Sequence, residues 1–456
     1  MKVILVNSPL FRERNLLYEE DALPPLGLGY IATVLTESGV ETLLIDAVDS
    51  RMPLSELLET LWHRQPDFIG VNIFTTNYEL VKELIERLNF STHIVIGGLS
   101  TKQLYSKILY WKTDNPIDVV TGDGELIMKA IVHNEVKDKP VFQQGNRRVF
   151  QVDQHSDYLV HDLSALKLDR SFFQNEPVQH PLGFREANIV ASRGCVYNCT
   201  FCAAARSLNK GYPVRERNVQ SIISELRDIE IAYPDVNSIR VLDDLFLKSD
   251  VSVANAVEAF SPFRFQWRAM AHVQTFRKTT DLQMRQLKGS GCFELFIGIE
   301  SGSPRILEQI NKTRDVPVII DNLSKVFRAG INIKGYFIFG FPGETEEDME
   351  LTYQLAVKLK EIATAYGVNF RTSVFQYRPY HGTQIYHDLE AQGLPLDVIQ
   401  TAPNSRLSAL VGRQQFNFHS GNYAAVGSQI VESYIYRTIN LNGGTIFSNL
   451  MPVTTV

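Results

Sequence analysis

From residue 1 to about residue 135, short apolar runs rich in Val and Ile alternate with segments in which apolar side chains return every three or four positions. The runs at 3–7, 41–47, 68–74, 93–97 and 118–121 predict buried strands, and 26–37, 54–64, 78–88 and 102–109 predict the helices between them. Strands and helices in strict alternation predict a doubly wound, Rossmann-like parallel sheet of the α/β class, with a ligand crevice at the carboxyl ends of its strands. The loops at those ends carry Ser8, Asp46, Thr75, then Gly97-Gly98-Leu99-Ser100, and Gly122-Asp123-Gly124-Glu125.

Residues 136–186 break this pattern. They are polar, with Pro140, Pro177 and Pro181, and predict a connector running over the surface. Alternation resumes over 187–385, with strands expected at 187–191, 238–243, 265–272, 294–299, 333–339 and 370–376. Helices are expected at 219–231, 251–260, 281–288, 304–310, 316–329 and 346–362. Six β/α units predict a partial (β/α)6 barrel with its chemistry at the carboxyl-end mouth. Residues 386–456 read as a small mixed C-terminal region.

Length and charge narrow the function classes. The 456 residues, 44% of them hydrophobic, supply cores for two or three domains and exclude general disorder. With 45 Lys plus Arg against 51 Asp plus Glu, and no long basic run, the chain lacks the electrostatic footprint expected of a nucleic-acid binder. No apolar stretch approaches the roughly 20 residues of a membrane span, and the N-terminus lacks a signal-peptide pattern. The expectation is a cytoplasmic protein with neither nucleic-acid nor membrane partners.

Four cysteines cannot form a disulfide framework in a chain of this size, and Cys195, Cys199 and Cys202 are clustered. The segment Ser192-Arg193-Gly194-Cys195 to Cys202 follows the first barrel strand directly, where a mouth loop falls. Three local thiolates at Cys-x3-Cys-x2-Cys spacing can hold an iron–sulfur cluster and leave one iron open to a further ligand. Structural zinc would prefer paired Cys-x2-4-Cys or Cys and His at finger spacing. Cys292 precedes a strand and reads as a buried thiol near the barrel's amino end.

The cysteine loop, with Phe201 before its last cysteine, resembles that of the radical S-adenosylmethionine (SAM) superfamily. So do VLDDLF around Asp243 and Asp244, FIGIESGS with Glu300, and KGYFIFGFPGET. The resemblance implies a [4Fe–4S] cluster on the three cysteines and SAM on the open iron. It also implies reductive cleavage of SAM to a 5′-deoxyadenosyl radical, hydrogen abstraction from a small-molecule substrate, and an external one-electron donor such as flavodoxin or ferredoxin. Asp243 or Asp244 would receive the SAM ammonium or a substrate polar group, and Glu300 the ribose or amine; helix capping is their alternative role. Arg268, His272, Tyr377 and Arg378 could reach the mouth, with Arg268 on a carboxylate and Tyr377 in a catalytic role, or be internal barrel residues. The segment containing His419 could cap the mouth.

A doubly wound domain ahead of such a barrel resembles the cobalamin-binding domain of one branch of that superfamily, as do PPLGLGYIA, IGG and TGDGE. The crevice residues Ser8, Thr75, Gly97, Gly98, Leu99, Ser100, Gly122, Gly124 and Glu125 would then contact cobalamin. The loop after the first strand contains no Asp-x-His-x-x-Gly, so no histidine there can serve as a lower cobalt ligand. Two functions follow from the resemblance. One is cobalamin-dependent methyl transfer to a small molecule in secondary metabolism. The other is radical dehydration, epimerisation, decarboxylation or cyclisation with a degenerate, cobalamin-free first domain. The stretch Arg12 to Asp21 could cover the crevice in either case.

Overall fold

The computed structural model describes residues 1–9, 23–179, 183–396 and 421–442. Two seven-stranded sheets organise the chain. The first contains β1 (Lys2–Asn7), β2 (Glu41–Asp46), β3 (Phe68–Asn72), β4 (His93–Gly97) and β5 (Ile117–Gly122), and then β6 (Phe142–Gln144) and β7 (Arg147–Val152). Its order is β2-β1-β3-β4-β5-β7-β6, parallel except for the β6–β7 hairpin. Between the strands run α1 (Leu26–Glu37), α2 (Leu54–Arg64), α3 (Tyr78–Glu86), α4 (Thr101–Ile108) and α5 (Glu125–Val132). The apolar runs are explained by burial on both faces. In β1, Val3, Ile4, Leu5 and Val6 alternate between two cores, one under α2–α4 and one under α1 and α5.

The second sheet has the order β16-β15-β14-β13-β12-β9-β8 and does not close on itself. Six of its strands are parallel: β9 (Arg185–Ile189), β12 (Ser238–Val241), β13 (Gln266–Ala271), β14 (Cys292–Glu300), β15 (Asn332–Phe339) and β16 (Phe370–Gln376). A short β8 (Val178–Gln179) pairs antiparallel with β9. Outside this sheet, β10 (Ser192–Arg193) and β11 (Arg215–Glu216) form a small ribbon. The helices are α6 (Val219–Ala232), α7 (Asp250–Phe260), α8 (Asp281–Gly289), α9 (Pro304–Gln309), α10 (Val316–Arg328), α11 (Glu346–Ala365), α12 (Gln384–Ala391) and α13 (Ser428–Asn440). Sequence-coded caps start several of them, including capping boxes at Ser249, Thr280 and Thr345.

Two stretches differ from expectation. Residues 136–186 are not a surface connector throughout, because β6 and β7 extend the first sheet and β8 extends the second. Within this stretch Arg170 and Glu176 are buried. Glu176 accepts hydrogen bonds from Arg170 Nη1 (2.7 Å), Asn188 N (2.6 Å) and Asn188 Nδ2 (2.8 Å), locking the segment to the barrel. Its polar composition hid this docking, which runs through ion pairs rather than apolar periodicity. In the C-terminal region, α13 buries Val431, Tyr434, Ile435 and Ile439 against the barrel. Asn442 accepts from the Thr372 backbone N–H (2.6 Å) and donates to the Thr372 carbonyl (2.9 Å), so it satisfies edge strand β16. The segments holding Arg12 to Asp21 and His419 lie outside the described residues.

Candidate active site

The cysteine loop is closed at its base by the β10–β11 ribbon, where Arg193 pairs with Arg215. Gly194 follows at φ +90°, a left-handed turn that suits a residue without Cβ. Beyond it the loop is pinned by its own backbone and by the end of α9. Cys202 N donates to Cys199 O (3.2 Å), Thr200 N to Ile310 O (3.2 Å), and Asn311 Nδ2 to Asn198 O (2.8 Å). Phe201 packs edge-on to Phe341, with ring centroids 5.7 Å apart, and so anchors the loop in the barrel core. Cys195, Cys199 and Cys202 are half-buried, whereas Cys292 is fully buried at the start of β14. Burial pushes all three loop thiols up, Cys202 to about 12, while Lys312 opposes this at Cys195 and Cys199. Among the described residues no three His, Cys, Asp or Glu side chains group as a single metal ion would require. Cys195, Cys199 and Cys202 share one short loop and form the thiol set of the candidate site.

The two acids at the end of β12 have different surroundings. Asp243 accepts hydrogen bonds from Ala191 N (2.8 Å) and Ser192 Oγ (2.6 Å), one at each oxygen. Burial pushes its carboxyl up to about 6, with these bonds opposing the shift. Its oxygens are thus committed to the strand end that leads into the cysteine loop. Asp244 instead opens onto the cavity described below, although enclosure by the cavity walls raises its carboxyl.

Glu300 ends β14 beyond a register shift, with φ +67°. Its Oε1 lies 3.2 Å from Lys312 Nζ, which also donates to the Gly298 carbonyl at 3.0 Å. Burial pushes the Glu300 carboxyl up, and Lys312 opposes that. Lys312 was not legible in the sequence, where it is one basic residue after a short helix. His272 stacks on Tyr197 of the cysteine loop at 3.7 Å between ring centroids; burial and Lys312 push it down to about 3, leaving a neutral imidazole.

Arg268 and Tyr377 both lie in the barrel interior, the second of the two placements open to them. Arg268 is 1% exposed near the amino end of β13, with Nε and Nη2 on the two oxygens of Glu186 (2.6 and 2.7 Å). It does not reach the mouth, because its strand position faces a buried ionic layer shared with Glu294. Tyr377 is a core residue wedged between Phe341 and Tyr423, with centroids at 5.2 and 5.8 Å. Its phenol ring packs as core rather than facing the mouth.

Between the two sheets lies a cavity of about 510 Å3. Its floor is apolar, formed by Leu5, Gly70, Val95, Val120 and Met128. Its rim carries Asn72, Phe74, Gly97, Gly98, Leu99, Lys102, Gly122, Asp123, Gly124 and Glu125 from the first sheet, and Ser192, Arg193 and Asp244 from the barrel. The paired glycines differ in cause. A Cβ on Gly98, at φ +108°, would strike the Ile73 backbone at 2.6 Å, whereas one on Gly97 would meet open space. Ser8, Thr75 and Ser100 do not line this cavity. Asn77 Nδ2 donates to Ser8 Oγ (2.9 Å), and Thr75 Oγ1 bonds to Ser100 Oγ (3.3 Å) and to His381 Nδ1 (3.1 Å) of the barrel. Lys102 was also missed; its Nζ sits 3.3 Å over the Tyr212 ring and donates to Asn209 Oδ1 at 2.5 Å. Burial pushes it down to about 8 against the pull of Asp123 and Asp244.

A cysteine loop at the mouth of an open parallel barrel, facing the crevice of a doubly wound domain, defines a two-domain α/β enzyme. Residues 189–356 match the radical SAM superfamily, and residues 20–132 match the B12 binding domain. The chain thus carries both a radical SAM domain and a B12-binding domain. It is 28% identical over 394 residues to an uncharacterised methyltransferase of Pyrococcus horikoshii, covering 82% of this chain and 80% of that one. It is 25% identical over 402 residues to the cytidylyl-2-hydroxyethylphosphonate methyltransferase of Streptomyces wedmorensis, covering 73% of each. Among solved structures it resembles the radical SAM methyltransferase TsrM from Kitasatospora setae, with a TM-score of 0.64, 18% identity, and coverage of 96% of this chain and 88% of that one. The cobalamin-dependent SAM radical enzyme OxsB aligns with a TM-score of 0.63 and 17% identity over 95% of this chain and 65% of that one. Among the described residues no helix is long and apolar enough to cross a membrane.

Proposed function

We propose that the chain is a cobalamin-dependent radical SAM methyltransferase acting on a small molecule. The observation that carries this reading is the shared cavity. Crevice residues Gly97, Gly122 and Gly124 line the same space as Ser192, Arg193 and Asp244, which lead into or flank the cysteine loop. The residues fit the groups. An apolar floor beneath a glycine rim suits the flat nucleotide base of a cobalamin tail, and the rim amides and Lys102 suit its phosphate and amide arms. When bound, a [4Fe–4S] cluster on Cys195, Cys199 and Cys202, SAM and cobalamin would supply the radical and the methyl group.

The chain's own residues bind, orient and exclude water. Asp243 holds the strand end ahead of the cysteines. Asp244 and the Glu300–Lys312 pair offer opposite charges beside the loop, where an amino-acid ammonium and carboxylate would need them. The relatives named as methyltransferases support the reaction class. A small-molecule substrate, an external reductant and a cytoplasmic setting belong to the same proposal.

The test is anaerobic titration of the cluster-reconstituted protein with hydroxocobalamin, followed by desalting and visible spectroscopy. Near-stoichiometric retention is expected. No retention with intact SAM cleavage would overturn methyl transfer. It would leave the radical rearrangement or elimination that the missing lower-ligand histidine also allows.

A further inference from the structure

The turn Asp123-Gly124-Glu125 lies at the cavity rim, yet its two carboxylates point away from being simple ligands. Arg193 donates to Glu125 through both terminal nitrogens, Nη1 at 3.3 Å, and its Nη1 stands 3.1 Å from Asp123 Oδ1. Arg215 donates to both oxygens of Asp123, Nη2 at 3.0 Å. Arg193 and Arg215 are opposite each other on the ribbon that closes the cysteine loop. One turn of the first domain therefore grips both strands at the base of the loop. The same loop is held further along by Lys102 on Asn209 and by Thr121 Oγ1 on Tyr212 Oη at 2.9 Å. From the barrel side, Asp243 holds residues 191 and 192. Gly194 is held as well, its backbone N–H donating to the Asp244 carboxylate, so the segment ahead of Cys195 is fixed from two domains.

Charge supports a fixed geometry. Burial opposes the Asp123 carboxylate, which Arg215 and Arg193 hold below its usual range. Largely buried, bidentate arginine–carboxylate pairs such as these specify orientation more sharply than surface ion pairs. We propose that Arg193 is a positioning residue, and that its pairing with Glu125 and Asp123 sets one spacing between the cysteine loop and the occupant of the interdomain cavity. The proposal rests on the reading of that cavity as the cobalamin site and of the loop as the cluster site. Glu125 then acts through Arg193 and not as a direct cofactor ligand.

The test uses the full chain and the variants Arg193→Lys and Glu125→Gln, with Arg215→Lys as the second variant should Arg193→Lys not fold. In the unloaded chain, hydrogen exchange is followed over the peptide spanning 193–202. Roughly tenfold or faster exchange there, with the strands of the first sheet unchanged, is expected in the variants. Unchanged exchange overturns the proposal. In reconstituted protein loaded with hydroxocobalamin and reduced to Co(II) and a paramagnetic cluster, pulsed electron paramagnetic resonance reads the cobalt–cluster distance. The wild type is expected to give one narrow distribution and the variants a broader one. Identical distributions overturn the positioning role even if stability has dropped. Should the wild type itself retain no cobalamin, the reading of the cavity fails, and the exchange experiment still decides whether the turn holds the loop.

Discussion

Lys312 Nζ stands 3.2 Å from Glu300 Oε1 and 3.0 Å from the Gly298 carbonyl, so one lysine binds both ends of the bulge that finishes β14. Both side chains are about nine-tenths buried. Replacing Lys312 by Met leaves Glu300 buried and uncompensated, at an expected cost of about 3–5 kcal/mol. The double variant Lys312→Met with Glu300→Gln should recover much of that loss in urea unfolding, and both should bind SAM weakly in equilibrium dialysis. A double variant no more stable than Lys312→Met would show that the pair is not the cause.

Gly298 separates the site from the fold. A Cβ there would meet Glu300 Oε1 at 2.2 Å and Lys312 Nζ at 3.0 Å, both ends of flexible side chains. Gly298→Ala is therefore expected to keep the fold, with a melting shift of a few degrees, while displacing the pair and weakening SAM binding by about tenfold or more. The measurement is SAM affinity beside a thermal scan; wild-type affinity would sink the assignment of the pair to SAM.

Gly97 and Gly98 should respond oppositely to substitution. Gly97→Val places its side chain in open space on the cavity side of β4, so the chain should fold normally and lose cobalamin on desalting. Gly98→Ala meets backbone in a left-handed conformation, so its loss should be in stability, about 1–3 kcal/mol. Full cobalamin retention by Gly97→Val would contradict the crevice reading.

Glu344 gives a pH signature. It is fully buried in the loop after β15, with Oε2 accepting from Gly340 N (2.5 Å) and Phe341 N (3.0 Å), and Oε1 has no hydrogen-bond partner among the described residues. Burial pushes its carboxyl up from 4.5 to about 8. The folded state then holds the proton that the unfolded state has released, so this group makes stability fall as pH rises from about 4.5 to about 8. Glu344→Gln should gain in melting temperature relative to wild type across that window. A difference that stays constant from pH 5 to 9 would refute the assignment.

The cysteines divide cleanly. Cys199→Ala should abolish cluster absorbance and 5′-deoxyadenosine formation. Cys292→Ala, at the opposite end of the barrel, should retain both and lose about 1 kcal/mol of stability through its buried cavity. Iron and sulfide analysis of the two variants side by side is the check.

The order of strands and helices could be read along the chain because each element is coded locally: apolar runs for strands buried on both faces, helical spacing and caps for α7, α8 and α11. The cysteine loop was equally local, since its three thiols lie in one short stretch after β9. The docked stretch 136–186 and the partners of individual side chains were not. Arg193 and Glu125 are 68 residues apart, and Arg268 and Glu186 are 82 apart. Nothing local distinguishes an arginine that lines a mouth from one that neutralises an interior carboxylate. Two parallel α/β units and a thiol loop at a strand end are therefore legible from local pattern alone. That Asp243 holds the strand end ahead of the loop while Asp244 lines the cavity, that Lys312 answers Glu300, and that TGDGE grips the loop's base became visible in the folded chain alone. Those pairings depend on sheet curvature, register and domain docking, which bring distant charges together in a low-dielectric space where each must find its complement.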